Sequence, residues 1–376
     1  VPGTKTPDSL GGGYFIWHKG HGIVIDPGYD FLENFAAAGG RVCDVHTVIL
    51  THAHPDHTAD LERLCTLLHE YHENGEASQS PEPTRRVRFL LSNGALVKFS
   101  GMLPLRGVNY IDRVDTLTPG CSFDLADNVR LQIIHAWHDD VLARDQSVGL
   151  WFEFGGPGSS RRLLFTSDTG LFPLKRDGDK SPDQSGPEVW AGYPHEAEQL
   201  VRPDLMITHI GSIQEAELEI GGDLTPEDAC YANHLGIIGT ARLITKCRPR
   251  LAVVSEFGEE MRDFRTTLIE GLQEKVIDHV FTGQPDNERP RVVLGDLPFI
   301  YDMVTGTVYD CVDQDWLAPG EIAFIQADDD ELKVGKGLVY YHRRAVTPDK
   351  DDLNRRVEEH WHHIKWRRGL YFKEKD

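Results

Sequence analysis

One stretch of the 376-residue chain joins an apolar run to a dense cluster of polar donors: Thr47-Val48-Ile49-Leu50-Thr51-His52-Ala53-His54-Pro55-Asp56-His57. The apolar residues predict a buried strand, and the periodic apolar positions of residues 59–68 predict a helix after it. His52 and His54 lie two positions apart, so in an extended loop both imidazoles can face one metal ion. Asp56 and His57 follow at the expected start of the helix and can serve a second ion. Two ions about 3.5 to 4 Å apart can share a water that ionises near neutral pH.

The rest of the chain repeats this arrangement of apolar strands with polar residues at their ends. A hairpin is predicted for residues 13–17 and 23–25, and further strands for 131–134, 162–165, 204–209 and 251–254. Helices are predicted from Pro226 to about Leu235 and from about Thr240 to Lys246. Residues 74–86 have the composition of an exposed loop, and residues 173–192 that of an inserted loop or lid. Alternating strands and helices predict an α/β layered domain.

Four motifs of the chain resemble motifs of the metallo-β-lactamase superfamily and occur in the same order along the sequence. His52-Ala53-His54-Pro55-Asp56-His57 matches its HxHxDH signature. Residues 25–28, 137–140 and 165–170 are similar to its early strand-Asp element, its isolated third histidine and its bridging aspartate. The resemblance covers roughly residues 11 to 260 and implies an αββα sandwich. Within the superfamily, the chain is most similar to the ribonuclease Z and cyclic-nucleotide phosphodiesterase branches.

The resemblance implies a ligand set for two divalent metal ions. His52, His54 and His138 would hold one ion, while Asp56, His57 and Asp168 would hold the other, with Asp168 bridging. Zn is the expected metal. Asp26 would support the site from below and not act as a ligand.

Two of these ligands have alternatives in the sequence. His135 follows the same predicted strand as His138 and competes for the role of third histidine. Asp168 also fits an ordinary residue of the Ser167-Asp168-Thr169-Gly170 turn. We prefer His138 because residues 137–140 match the family motif more closely, and the strand before Asp168 favours the ligand role.

The last ligand departs from the family pattern. Members commonly end a strand with a histidine for the second metal, whereas Glu256 stands at the comparable place here. A carboxylate there would make the second position more tolerant of Mn or Mg. The alternative is a solvent-facing glutamate at a strand end.

Three residues are candidates for catalytic roles. Asp56 belongs to the ligand cluster. His209 ends an apolar strand, where it would contact substrate or donate a proton to the leaving group. His234 lies near a predicted helix end, where it either serves the reaction or caps and packs against the helix.

The predicted secondary-structure pattern of the chain changes after about residue 290. We predict a catalytic domain over residues 1–290 and a small appendage over 291–376 that contains strands at 291–294 and 337–341 and a helix from Asp352 to about Arg368. The aromatic and basic run at 360–368 fits an amphipathic helix docked on the core, with nucleotide stacking as the alternative.

Composition excludes some classes of partner. A net charge of −21 disfavours binding to extended duplex nucleic acid, but a small anionic or nucleotide-like substrate is allowed because bound metals reverse the local potential. The scattered cysteines contain no CxxC pair and predict a reduced, cytoplasmic protein: Cys43, Cys65, Cys121, Cys230, Cys247 and Cys311. No apolar stretch approaches the roughly 20 residues of a membrane span, and residues 1–10 lack an export pattern. A homodimer is compatible with the sequence.

The leading functional hypothesis is a phosphodiesterase or nuclease that uses a bridging hydroxide on a nucleotide or RNA-like substrate. A carboxyl-ester, lactone or thioester hydrolase is the second, because the same nucleophile attacks carbonyl groups. A non-catalytic metal-binding scaffold is the third, since Glu256 departs from the family pattern. The sequence does not choose among these substrates.

Overall fold

The computed structural model describes residues 12–74, 86–103, 110–140, 146–156, 160–172, 202–213, 233–258, 261, 265–285, 288–295, 299–304, 307–310 and 325–326. Several sequence predictions lie outside these ranges: nearly all of the loop at 74–86, the lid at 173–192, most of the helix from Pro226, the strand at 337–341 and the helix at 352–368. No helix within the described ranges is both long enough and apolar enough for a membrane span.

The first sheet has five strands in chain order. β1 (Tyr14–His18) and β2 (His21–Ile25) form the predicted antiparallel hairpin. The other three strands continue the sheet in parallel: β3 (Val45–Leu50), β4 (Val87–Leu91) and β5 (Ile111–Thr116). β2, β3 and β4 are buried along almost their whole length, which explains their nearly unbroken apolar sequences.

The second sheet has seven strands in the order β12-β11-β10-β9-β8-β7-β6. Four of them form an antiparallel meander: β6 (Ser122–Ala126), β7 (Val129–His135), β8 (Val148–Phe154) and β9 (Arg161–Phe165). The other three continue it in parallel: β10 (Leu205–Gly211), β11 (Leu251–Phe257) and β12 (Arg291–Leu294). Because β3, β9, β10 and β11 all end towards the same edge of the molecule, the polar residues after them can meet there.

Helices cover the outer face of each sheet. The first group is α1 (Phe31–Ala37), α2 (Pro55–Thr58), α3 (Leu61–Asn74) and α4 (Asn93–Phe99). The second group is α5 (Gly236–Cys247), α6 (Arg265–Gly271), a π-helical segment (Leu272–Ile277) and α7 (Asp278–Val280). One buried cluster joins Leu64 and Leu68 of α3 to β3 and β4, another fills the space between the sheets, and a third joins Ile237 and Ile244 of α5 to the second sheet. These layers form the predicted αββα sandwich.

Two boundaries differ from the sequence prediction. α5 begins at Gly236 rather than Thr240, and residues 233–235 are not helical. Gly236 and Gly239 discourage a helix in sequence reasoning, but burial of this segment against β10 outweighs that preference.

At the C-terminal end, β12 lies beyond the predicted domain boundary at residue 290 yet pairs with β11 as part of the larger sheet. Residues 291–294 therefore extend the core sheet. The following strands form a separate small sheet: β13 (Phe299–Asp302), β14 (Thr307–Asp310) and β15 (Ile325–Gln326).

Candidate metal centre

The predicted ligand loop lies between β3 and α2. β3 ends at Leu50, and α2 begins at Pro55, where a proline fits because the first helical residue needs no N–H donor. His52 is fully buried, His57 is almost fully buried, and His54 is partly exposed. The loop therefore turns its histidines into the protein at the common edge of the two sheets.

Asp168 is the centre of the cluster. It follows β9, and its Oδ2 atom lies close to four imidazole nitrogens: 3.6 Å from Nε2 of His57, 3.8 Å from Nε2 of both His52 and His138, and 3.9 Å from Nδ1 of His234. Its Oδ1 atom lies 2.9 Å from Nδ1 of His209. Residues from four separate parts of the chain thus meet at one carboxylate.

The donors form overlapping groups in which all ligand atoms lie within 4.8 Å of one another. His52, His54, His138 and Asp168 form one such group, the set that the resemblance implies for the first metal. A second group is Asp56, His57 and Glu256, and a third links His57 to Asp168 and His209. The third group connects the other two, because it shares Asp168 with the first and His57 with the second.

The chemistry of the donor set fits divalent metal ions. The Nε2 atoms of His52 and His57 are buried and have no hydrogen-bond partner among the described residues. Burying a polar atom without a partner is unfavourable, so such atoms indicate a ligand. Imidazole nitrogens with carboxylate oxygens are the donors that Zn and similar ions take.

Electrostatics favour a cation at the same place. Burial opposes charge on His57, yet the pKa of this imidazole stands well above its ordinary value because Asp168, Asp26 and Glu256 surround it. Burial likewise opposes ionisation of Asp168, but the neighbouring His57 and His209 hold the pKa of its carboxyl well below the usual range. The carboxylates thus stabilise positive charge at the centre of the cluster.

Other histidines of the cluster are held neutral. Burial, followed by the proximity of His57, lowers the pKa of His52 well below its ordinary value. Burial and His138 lower the pKa of His54, and burial lowers that of His234 to about 4. Neutral imidazoles are the form that binds metals, so these side chains need not lose a proton first.

Asp26 supports the loop from beneath. The backbone N–H of Thr51 donates to its Oδ1 at 2.7 Å, and the Thr51 hydroxyl donates to its Oδ2 at 2.5 Å. The same Oδ2 lies 3.3 Å from Nδ1 of His57, so Asp26 holds the ring atom opposite to the Nε2 that faces Asp168. Carboxylates in this position fix the tautomer and orientation of a metal-binding histidine.

His138 and its competitor His135 are placed very differently. His138 is buried in the cluster, with Nε2 3.0 Å from Nδ1 of His54. His135 is exposed at the end of β7 and stacks on Trp137. Residue 138 is brought into the cluster and residue 135 is not.

A further set of contacts clamps Ala53, the residue between two of the histidines. Its N–H donates to Oδ2 of buried Asp140 at 3.0 Å, and its carbonyl oxygen accepts from Nζ of Lys98 at 2.6 Å. Lys98 also donates to the Thr58 hydroxyl at 2.9 Å. A Cβ atom on Gly94 would lie 2.0 Å from Asp140 Oδ2, so only glycine lets α4 approach this carboxylate.

Three non-glycine residues with left-handed backbone lie at the strand ends around the cluster. They are Asp26 with φ 47°, Ser167 with φ 56° and Glu256 with φ 53°. Such conformations cost on the order of 1–3 kcal/mol and persist where the surroundings impose them. Asp26 and Ser167 lie just after β2 and β9, and Glu256 is the penultimate residue of β11.

The three residues predicted to act in catalysis occupy different positions. The Asp56 side chain is one-third exposed, with Oδ2 3.9 Å from Nε2 of His57. The His234 side chain is 22% exposed and stacks obliquely on His138, just before the N-terminus of α5. His209 is fully buried behind Asp168, with Nε2 3.2 Å from the Tyr14 hydroxyl.

Glu256 is partly buried, and burial raises the pKa of its carboxyl. It lies with Asp56 and His57 in one of the donor groups, so the structure brings it into the cluster. Sequence reasoning missed Tyr14, Lys98 and Asn233 as neighbours of the centre, because each reaches it from a distant part of the chain.

Comparison with known proteins identifies a family. Residues 21–255 match the model described as the beta-lactamase superfamily domain, which is more than half of the chain. A comparison with curated proteins gives no significant match.

Solved structures show distant likenesses. The metallo-beta-lactamase fold protein YhfI from Bacillus subtilis is 14% identical, with a TM-score of 0.48 over 78% of this chain and 92% of that chain. The short form of human tRNase Z is 16% identical, with a TM-score of 0.43 over 68% and 89% of the two chains. Zinc-bound PqqB from Methylobacterium extorquens is 13% identical, with a TM-score of 0.42 over 77% and 88%.

The family match and the His/Asp cluster together indicate a hydrolase that binds divalent metal. The chain belongs to the family described as the beta-lactamase superfamily domain, and it has the metallo-β-lactamase fold.

Proposed function

We propose that the protein is a binuclear metal-dependent phosphodiesterase acting on a small nucleotide-like or RNA-like substrate. The observation that carries the proposal is the convergence of four imidazole nitrogens within 3.9 Å of one oxygen of Asp168. His52, His54 and His138 would hold one ion and Asp56, His57 and Glu256 the other, with Asp168 shared. Zn is the expected ion, and Glu256 would allow Mn or Mg at the second position. When bound, two divalent ions supply positive charge at the reacting group and acidify water there.

The charges of the donor set admit an anionic phosphodiester. Asp56, Asp168 and Glu256 would bring three negative charges to two divalent ions and a shared hydroxide would bring a fourth, so the loaded centre would carry no net charge and would not repel a phosphodiester. The two ions would also offset the negative charge that develops on the phosphoryl oxygens. The acidic chain as a whole favours a short substrate over duplex nucleic acid.

His234 is the candidate to contact the leaving oxygen. Its side chain is partly exposed next to Asp168, whereas His209 is fully buried. With a pKa of about 4, the free imidazole is neutral at pH 7 and offers one N–H as a hydrogen-bond donor. A nearby anionic phosphoryl group would raise this pKa, so that the imidazole takes up a proton from solvent and can pass it to the leaving oxygen.

A substrate panel tests this proposal. Protein reconstituted with Zn or Mn is assayed with bis-p-nitrophenyl phosphate, a lactone and a thioester, beside His138→Ala and the matched control His135→Ala. We expect phosphodiester turnover that His138→Ala lowers at least about tenfold and His135→Ala leaves unchanged. Hydrolysis of the lactone or thioester alone would favour the second enzymatic function. Fewer than one tightly bound ion per chain, with no turnover, would favour a scaffold.

A further inference from the structure

The two oxygens of Asp168 have different surroundings. Oδ2 faces His52, His57 and His138, the side where the proposed ions would bind. Oδ1 lies 2.9 Å from Nδ1 of His209. One oxygen is thus held by the protein, while the other is presented to the cluster.

His209 is anchored on its far side. Its Nε2 lies 3.2 Å from the hydroxyl of Tyr14, and that hydroxyl lies 2.6 Å from Oγ of Ser255. The Tyr14 and His209 rings are nearly parallel, with centroids 5.9 Å apart. Tyr14 belongs to β1 in the first sheet, whereas His209 and Ser255 belong to β10 and β11 in the second. The contact therefore ties the position of His209 to the packing of the two sheets.

The chemistry of the groups fixes the direction of the hydrogen bond to Asp168. An ionised carboxylate can only accept, so Nδ1 of His209 carries a proton and donates to Asp168. The contacts then continue from Nε2 of His209 to the Tyr14 hydroxyl and from there to the Ser255 hydroxyl. One continuous line of hydrogen bonds thus joins Asp168 to Ser255.

We propose that His209 is a positioning residue that, held by Tyr14, fixes the rotation of Asp168 so that Oδ2 faces the metal ions. The inference rests on the proposed metal centre. It replaces the role of proton donor expected for His209, because a fully buried ring with both nitrogens engaged does not reach a substrate. A carboxylate that is free to rotate would present either oxygen and lose affinity for the ions.

Metal affinity measured by chelator competition tests the role of His209. In His209→Asn the side-chain amide retains a donor near the place of Nδ1, whereas His209→Leu retains similar bulk without a donor. We expect His209→Leu to weaken Zn binding about 10- to 100-fold and His209→Asn to restore most of that loss. His135→Asn is the control and should bind Zn as the wild type does.

Tyr14→Phe keeps the test decisive if His209→Leu does not fold, because it retains the ring and removes only the hydroxyl. We expect a smaller loss of Zn affinity, on the order of threefold, since Tyr14 acts one step further from the metal. Wild-type affinity in all three variants would overturn the positioning role while leaving the metal centre intact. Failure of the wild type to bind any divalent ion would instead overturn the proposed function.

Discussion

The Nδ1 atom of His138 lies 2.8 Å from the backbone oxygen of Asn233, a residue 95 positions later in the chain. The side chain of the same asparagine accepts the N–H of Asp139 through Oδ1 at 2.7 Å. Asn233 thus holds both the ring of His138 and the backbone of the residue that follows it.

Replacement of Asn233 should weaken the metal centre without removing a ligand. Asn233→Leu loses the acceptor for Asp139, and we expect about a tenfold loss of Zn affinity because supporting contacts orient the ligand. Asn233→Asp retains an acceptor oxygen and should bind Zn at least as tightly as the wild type. Chelator competition measures both, and equal affinities of the Leu and Asp variants would contradict the prediction.

Replacement of Glu256 by histidine should change the metal preference. Histidine is among the non-glycine residues that tolerate the left-handed backbone at this position. An imidazole is a softer ligand than a carboxylate, so Glu256→His should raise the ratio of Zn affinity to Mn affinity, on the order of tenfold. Parallel titrations with the two ions give the ratio, and an unchanged ratio would mean that Glu256 is not a ligand.

The raised pKa of Glu256 makes a separate prediction for the metal-free protein. A carboxyl whose pKa is higher in the folded state prefers to be protonated there, so its ionisation at higher pH lowers stability. Glu256→Gln removes this effect. In chelator, the variant should melt at a higher temperature than the wild type at pH 8, and the difference should shrink towards pH 5. A difference in melting temperature that grows towards low pH would contradict the prediction.

The close approach of α4 to Asp140 should make Gly94 intolerant of a side chain. In Gly94→Ala the new Cβ would displace the Asp140 carboxylate from Ala53, and we expect a loss of about 1–3 kcal/mol in the free energy of unfolding despite the better helix propensity of alanine. Gly101→Ala is the matched control, since no heavy atom lies within 4 Å of its added Cβ. Urea unfolding measures the stability of both variants. Equal free energies of unfolding would contradict a stabilising contact between Asp140 and Ala53.

The cysteines should differ in reactivity. Burial raises the pKa of the Cys65 thiol to about 11, so at pH 8 only about a thousandth of it is thiolate, the reactive form. Cys121 is exposed. Iodoacetamide at pH 8 should therefore modify Cys121 in the folded protein and reach Cys65 only after denaturation, as peptide mapping by mass spectrometry would show. Equal labelling of both in the folded state would contradict the burial of Cys65.

The sequence alone determined the parts of this protein that depend on neighbouring residues. The apolar run before His52, the pairing of β1 with β2 and the spacing of His52, His54, Asp56 and His57 are all local patterns. Strand periodicity and donor spacing therefore predicted the layered fold and the composition of the ligand loop. The resemblance to a known family added the distant candidates, His138 and Asp168.

Only the tertiary structure decided which distant side chains meet and what each one faces. Motif context in the sequence favoured His138 over His135. The structure supplies the physical difference, because His135 is exposed at the end of β7 and His138 is buried. The placement of His209 behind Asp168, and of Lys98 and Asp140 on either side of Ala53, joins residues between 41 and 87 positions apart. Such contacts are set by how two sheets and their helices pack, which depends on the whole core and on no single stretch of the chain.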